Sequence, residues 1–173
     1  MPHYRGHCAA GLRQRRNNLE AVAYSTADAR QQLLDTLAEA CEAIGSALAA
    51  LGEAYERMDE HSAEVLEQEL FRPVQLAYGR ARRAHAGFAE RHQLPGRAFD
   101  PATPGAPSRG IKGFLDHAVE EMRRADSLLA TLQDSMLPVE VGDPELRSAL
   151  EEVRTLLGDL PARSRKLVRT LGR

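Results

Sequence analysis

The chain has 173 residues and a formal charge of −2 at neutral pH, long enough for one domain with a buried core. It holds no Trp and few other aromatics, and Ala, Leu, Glu and Arg dominate, which is the composition of long helices. These features exclude a globally basic nucleic-acid binder, and the absence of any run of about 18 apolar residues excludes a membrane-spanning helix.

Residues 1–24 read as a flexible or weakly amphipathic N-terminal arm, and residues 25–173 as a single helical domain. Arg5, Arg13, Arg15 and Arg16, with no acid before residue 20, give the arm a faint presequence character, the basis of a mitochondrial alternative. The two cysteines, Cys8 and Cys41, form no CxxC pair and follow no secretory segment, so they are expected as reduced thiols of a cytoplasmic protein. His3, His7 and Cys8 are metal-ligand types, but in a terminal arm they do not define a site.

Ser25 or Thr26 is placed to cap the first long helix, with Asp28 in its first turn. Leu34, Leu37, Cys41, Ile44, Leu48, Leu51, Tyr55 and Met58 then recur at alternating three- and four-residue steps, a heptad stripe. After Met58 the stripe jumps to Leu66 and continues through Leu70, Val74, Ala77 or Tyr78, Ala81, Ala84 or His85, and Phe88. Either a turn at 59–62 separates two helices, or one helix continues and the seam shifts around it. No Gly, Pro or Asn occurs from Glu53 to Arg72, which favours one helix over 25–92, kinked at Pro73 and on the order of 100 Å long.

The stretch "AEVLEQELFRPVQLAYGRARRAH", residues 63–85, passes from acidic to basic across a proline. It resembles the middle of BAR-type membrane-scaffold helices. The resemblance covers residues 63–85 and implies a crescent-shaped two-fold dimer whose concave face meets anionic lipid. It implies headgroup contacts from Arg80, Arg82, Arg83, Arg91 and Arg97, and an amphipathic insertion segment at 9–24.

Residues 93–110 carry four prolines and three glycines and read as a long, exposed, mobile loop. A second heptad stripe follows: Ile111, Leu115, Ala118, Met122, Ala125, Leu129, Leu132 and Met136. Pro138 breaks it, and Asp143 with Pro144 makes an N-cap and first-turn pair. The last helix carries Leu146, Leu150, Val153, Leu157 and Leu160, is kinked or restarted at Pro161, and continues through Leu167 and Leu171.

Charge is segregated along the chain. Residues 35–69 hold ten acids against Arg57, residues 72–97 hold six bases against Glu90, and residues 161–173 hold five bases and no acid. Acidic and basic blocks of this kind fix the register of antiparallel helices. The competing reading makes Arg80, Arg82, Arg83, Arg91 and Arg97 a phosphate-seeking or acidic-partner face. Chemistry is sparse. None of the six histidines has Glu three residues before it, so no di-iron carboxylate pattern exists, and no glycine cluster matches a phosphate-binding loop.

The expected fold is all-α, with long heptad-patterned antiparallel helices. It is either an elongated kinked hairpin that dimerises or a four-helix bundle. Leu37, Cys41, Ile44, Leu48, Leu51, Leu115, Met122, Leu129 and Leu132 are the expected helix–helix seam. The expected function is a non-enzymatic adaptor or scaffold acting through coiled-coil-like contacts with a second copy or another helical protein. The alternative is a peripheral membrane module using the Arg face, and a helical-bundle enzyme stands third. No catalytic residue, cofactor, metal, nucleic acid or small-molecule substrate is expected.

Overall fold

The computed structural model describes residues 7–106, 110–135 and 137–171, with side chains from Thr26 onward and Pro138 excepted. The described residues form seven α-helical elements: α1 (His7–Tyr55), α2 (Glu60–Leu66), α3 (Arg72–Arg91), α4 (Gly110–Asp134), α5 (Leu137–Val141), α6 (Pro144–Gly158) and α7 (Leu160–Leu171). A π-helical turn, Glu67–Phe71, joins α2 to α3. The chain is all-helical, and among the described residues it has no strand.

The helix begins at His7, so Ser25 and Thr26 lie inside α1 and do not cap it, contrary to expectation. The readings placed on His3, on the side chains of His7 and Cys8, and on the arginines of the first 24 residues fall outside the described residues.

The single helix expected over 25–92 does not form. The chain turns at Glu56–Asp59 without a glycine. The end of α1 tightens instead through Arg57 N–H to the Ala54 carbonyl and Met58 N–H to the Tyr55 carbonyl, both 3.2 Å. Asp59, extended at φ −66° and ψ 159°, caps α2 by accepting the Ser62 amide at 3.1 Å. Ser62, through its hydroxyl and its amide, holds the Asp59 carboxyl below its usual range.

At Pro73 the helix does continue. Pro73 lacks an amide hydrogen and cannot make the regular i→i−4 bond. The π turn just before it inserts the wider register that a helix uses to pass such a residue, with the Arg72 amide bonding to the Glu67 carbonyl. Glu69 in that turn pairs with Arg163 of α7 at 3.7 Å.

Helix directions follow from the contacts. Gly45 lies against Tyr78 and Gly52 against Phe71, so α1 and α3 run antiparallel. Arg57 stacks over Phe114 at 4.7 Å, and Ser46 meets His117 at 3.3 Å, which sets α4 antiparallel to α1. Arg91 pairs with Asp143 and Arg80 with Glu152, so α6 opposes α3. α6 also packs on α4, and α7 on α4 and the π turn. α3 and α4 therefore point the same way, and the connection between them, described over residues 92–106, returns along the molecule.

The core gathers Leu33, Leu37, Ile44, Leu51, Leu66, Leu70, Phe88, Phe114, Leu115, Met122, Leu129 and Leu146, all fully buried. In α1 the buried face is wider than a two-position seam. Ala40, Ala43, Ala47, Ala50 and Ala54 are buried as well, because α3 and α4 cover different sides of this helix. Small side chains let both neighbours approach closely.

The described part of the expected loop, residues 93–106, is largely exposed as expected, but it is anchored to the protein at several points. Leu94 and Phe99 pack on the core, and Arg97 pairs with Glu42 of α1. The α3 end closes with the Leu94 amide on the Ala89 carbonyl at 2.8 Å, which places Gln93 at φ 54°, a position that usually falls to glycine.

Candidate functional site

The arginines expected to share one face diverge around α3. Arg80, Arg83 and Arg91 point toward α6 and line a cleft with Glu145 and Glu152. Arg82 turns the other way and stacks over Tyr78, its guanidinium carbon 5.4 Å from the ring centre. Arg97 lies beyond the helix, on Glu42 and 6.0 Å from the Phe99 ring centre. The five do not form a single phosphate-seeking surface, since 80 and 82 stand about 200° apart on a helix. Arg80 is paired with Glu152, Arg91 with Asp143 and Glu145, and Arg97 with Glu42.

The tightest polar cluster lies where α3 ends and α6 begins. Asp143 is 5% exposed and accepts four donors. These are the Leu146 amide at 2.8 Å, Arg91 Nε at 3.0 Å, Arg91 Nη2 at 3.1 Å, and His92 Nε2 at 3.0 Å. Burial pushes its carboxyl upward, but the Leu146 amide, His92 and Arg91 outweigh it and hold the group below the usual carboxylate range. The cluster joins the two halves of the chain. The Asp143–Pro144 pair marked the cap in the sequence, whereas the Arg91 and His92 contacts span about 50 residues and have no local signal.

A different surface retains unpaired charge. Between α4 and α7 lies a cleft of about 510 Å³, lined by Lys112, Asp116, Val119, Arg123, Ser164, Arg165, Val168 and Arg169. Lys112, Asp116, Val119 and Arg123 are one stripe of α4 at helical spacing, and Arg165, Val168 and Arg169 one stripe of α7. Lys112 is bound to Asp116 at 2.7 Å, and Arg169 donates to the Arg165 carbonyl at 3.3 Å. Arg123 and Arg165 make no ion pair with a described residue. Val168 links this cleft to a second one of about 410 Å³, beside Arg57, Met58, Ile111 and Leu115. The basic run after residue 160 was legible, but the groove needs two helices that are distant in sequence.

The seam residues lie inside. Leu37, Cys41, Ile44, Leu51, Leu115, Met122, Leu129 and Leu132 are buried, and Leu48 packs partly buried against them. Burial raises the Cys41 thiol to about 12, against a downward pull from Arg82, so it stays a neutral apolar filler. His85 is 1% exposed and meets the edge of Phe99. Among the described residues, no group of three or more His, Cys, Asp or Glu is placed to hold a metal ion, and no helix is long and apolar enough to cross a membrane. Compared with family models, curated proteins and solved structures, the chain finds no match.

Proposed function

We propose that the protein is a non-catalytic helical adaptor, a four-helix bundle with one long crossover that recruits another protein through its outer surface. The observation that carries this reading is the uneven use of charge. Of the α3 cations facing α6, Arg80 and Arg91 are paired within the chain and Arg83 alone is not, while the α4–α7 edge keeps both Arg123 and Arg165 without an ion pair to a described residue, beside Val168. An apolar centre rimmed by free charge is the composition of a contact surface. Most heptad positions of α1 and α4 are turned toward the chain's own helices, with Tyr55 exposed, which supports partner binding from outside rather than through an open seam. A photo-reactive residue at position 169, introduced in the cells that make the protein, is expected to give a discrete protein adduct. Adducts at no surface position, tested at 83, 139 and 169, would refute the adaptor reading.

One observation favours a second reading, peripheral attachment to anionic membrane. α7 buries Leu160 and Leu167 and turns Arg165, Lys166 and Arg169 outward, the layout of a basic amphipathic helix. Co-sedimentation with vesicles containing phosphatidylserine tests it. Failure to bind at low salt removes this reading and leaves the adaptor intact.

A further inference from the structure

We infer that the α4–α7 groove is a docking site for one acidic amphipathic helix of about three turns, supplied by a partner protein. The inference rests on the adaptor reading and names the partner's chemistry. Its first support is shape. The cleft is lined by one face of each of two helices, and a trough of that kind is naturally filled by a third helix, laid with its apolar face down. The stripe from Lys112 to Arg123 extends about 16 Å, the length of three helical turns. The trough volume of about 510 Å³ holds a short row of side chains rather than a whole domain.

The second support is the order of side chains across the trough. Val119 and Val168 are on its floor, while Lys112 and Arg123 rise on the α4 side and Arg165 and Arg169 on the α7 side. Among the described residues Asp116 is the only acid in the lining, and Lys112 already holds it at 2.7 Å. An occupant must therefore bring apolar residues at i, i+3 or i+4, and i+7, flanked on both sides by Glu or Asp. A basic helix would meet four cations, and an uncharged apolar helix would leave Arg123 and Arg165 unanswered on the rims. The opposite side of α7 does not share this character, since the cleft there mixes Asp59 and Glu69 with Arg163 and Lys166. The cationic trough is thus confined to the α4 side of α7.

The test uses a stapled helical peptide of about 14 residues with Leu at the apolar positions and Glu on both flanks, matched to about three to four turns. A scrambled peptide of the same composition, and vesicles of phosphatidylserine and phosphatidylcholine, form the other arms. Anisotropy with the full-length chain is expected to show saturable binding of the patterned peptide, at least tenfold tighter than the scrambled one. Binding should weaken as salt rises, and NMR shifts should appear at the methyls of Val119 and Val168. The double reversal Arg165→Glu and Arg169→Glu, both at exposed positions, should abolish binding while circular dichroism and thermal midpoint stay unchanged. Val168→Asp provides an independent loss at the floor. Equal binding of both peptides, binding unaffected by the reversals, or vesicle binding without peptide binding would overturn the assignment. Photo-crosslinks to a protein from positions 83 or 139, with none from 169, would overturn it too while leaving the adaptor reading standing.

Discussion

The His85 ring meets Phe99 edge-on, with 5.1 Å between ring centres and the planes 80° apart. The contact ties a segment without regular structure to α3, and it keeps an ionisable ring in the interior. Burial, joined by the Arg97 guanidinium and opposed by Asp35, lowers the His85 pKa below its ordinary 6.5. The unfolded chain takes up a proton as pH falls through that value, while the folded ring resists it. Stability is therefore complete above about pH 6.5 and drains as pH falls toward the lower folded value. His85→Leu keeps an apolar contact for Phe99 and removes the titration. Urea midpoints measured between about pH 7.5 and 5.5 should fall less in the variant than in the parent chain. Parallel falls would refute the assignment.

Asp143 should be the most costly surface-proximal acid to remove. Asp143→Ala deletes a helix cap, takes the acceptor from His92 and leaves Arg91 with Glu145 alone, a loss of about 2–4 kcal/mol at neutral pH. Its depressed pKa means that its contribution is present above the ordinary 3.8 and is lost as pH falls through the folded value. The gap between parent and variant should accordingly narrow below that pH. Asp143→Asn retains a capping oxygen and should fall between the two in chemical denaturation. A neutral Asp143→Ala would show that α6 starts without its cap.

The Arg80–Glu152 bridge should contribute little despite its span between α3 and α6. Both side chains are more than a third exposed, and the Arg80 Nε is buried without an acceptor. A double-mutant cycle with Arg80→Met and Glu152→Gln is expected to give a coupling of no more than about 1 kcal/mol, reduced further by salt. A coupling above about 2 kcal/mol would place the bridge among the strong pairs and contradict this expectation.

Two backbone positions invite stabilisation. A Cβ at Gly79, inside α3, meets nothing within 4 Å, so Gly79→Ala should raise stability by about 0.5–1 kcal/mol. Gln93→Gly relieves a left-handed residue at the end of the same helix and should add about 0.5 kcal/mol. Gly45→Ala is the control, because its Cβ would stand 3.3 Å from the Tyr78 ring and forfeit the helical gain. Thermal midpoints in the order Gly79→Ala, parent, Gly45→Ala would agree. Equal gains at 45 and 79 would mean that Tyr78 moves freely.

Cys41 should be silent in the folded protein. With its thiol buried and raised to about 12, labelling by a disulfide reagent near pH 8 must wait for the helices to open. In a Cys8→Ser background, the rate should rise by orders of magnitude across the urea transition. A rapid phase without denaturant would mean that α1 and α3 part locally.

The positions that become buried in α4 and α6 were readable because they recur on one face at steps of three and four. The same spacing in α1 gave Leu37, Cys41 and Ile44 but missed Ala43, Ala47 and Ala50, since alanine fits a seam and a surface equally well. The turn before Asp59 was hidden for a chemical reason. Its helix end closes through short i→i−3 bonds rather than a glycine, and its cap is an acid in an acidic run. That the helix runs on through Pro73 was readable, but not the π turn that absorbs it. The α4–α7 trough could not be read at all, because it joins residues about 50 apart that meet only when two helices pack.

The connection between α3 and α4 divides the chain into two hairpins, α1 with α2–α3 and α4 with α6–α7, and much of the core closes between them. Each half presents the other with its apolar face, and a single connection is all that joins them covalently. Two fragments cut within that connection would therefore retain the complementary faces needed to find each other again. Two intact copies could satisfy the same faces reciprocally, each lending its second hairpin to the other, as in domain swapping. The length of the connector would then govern the balance between self-closure and exchange, and shortening it would shift the population toward interlocked pairs.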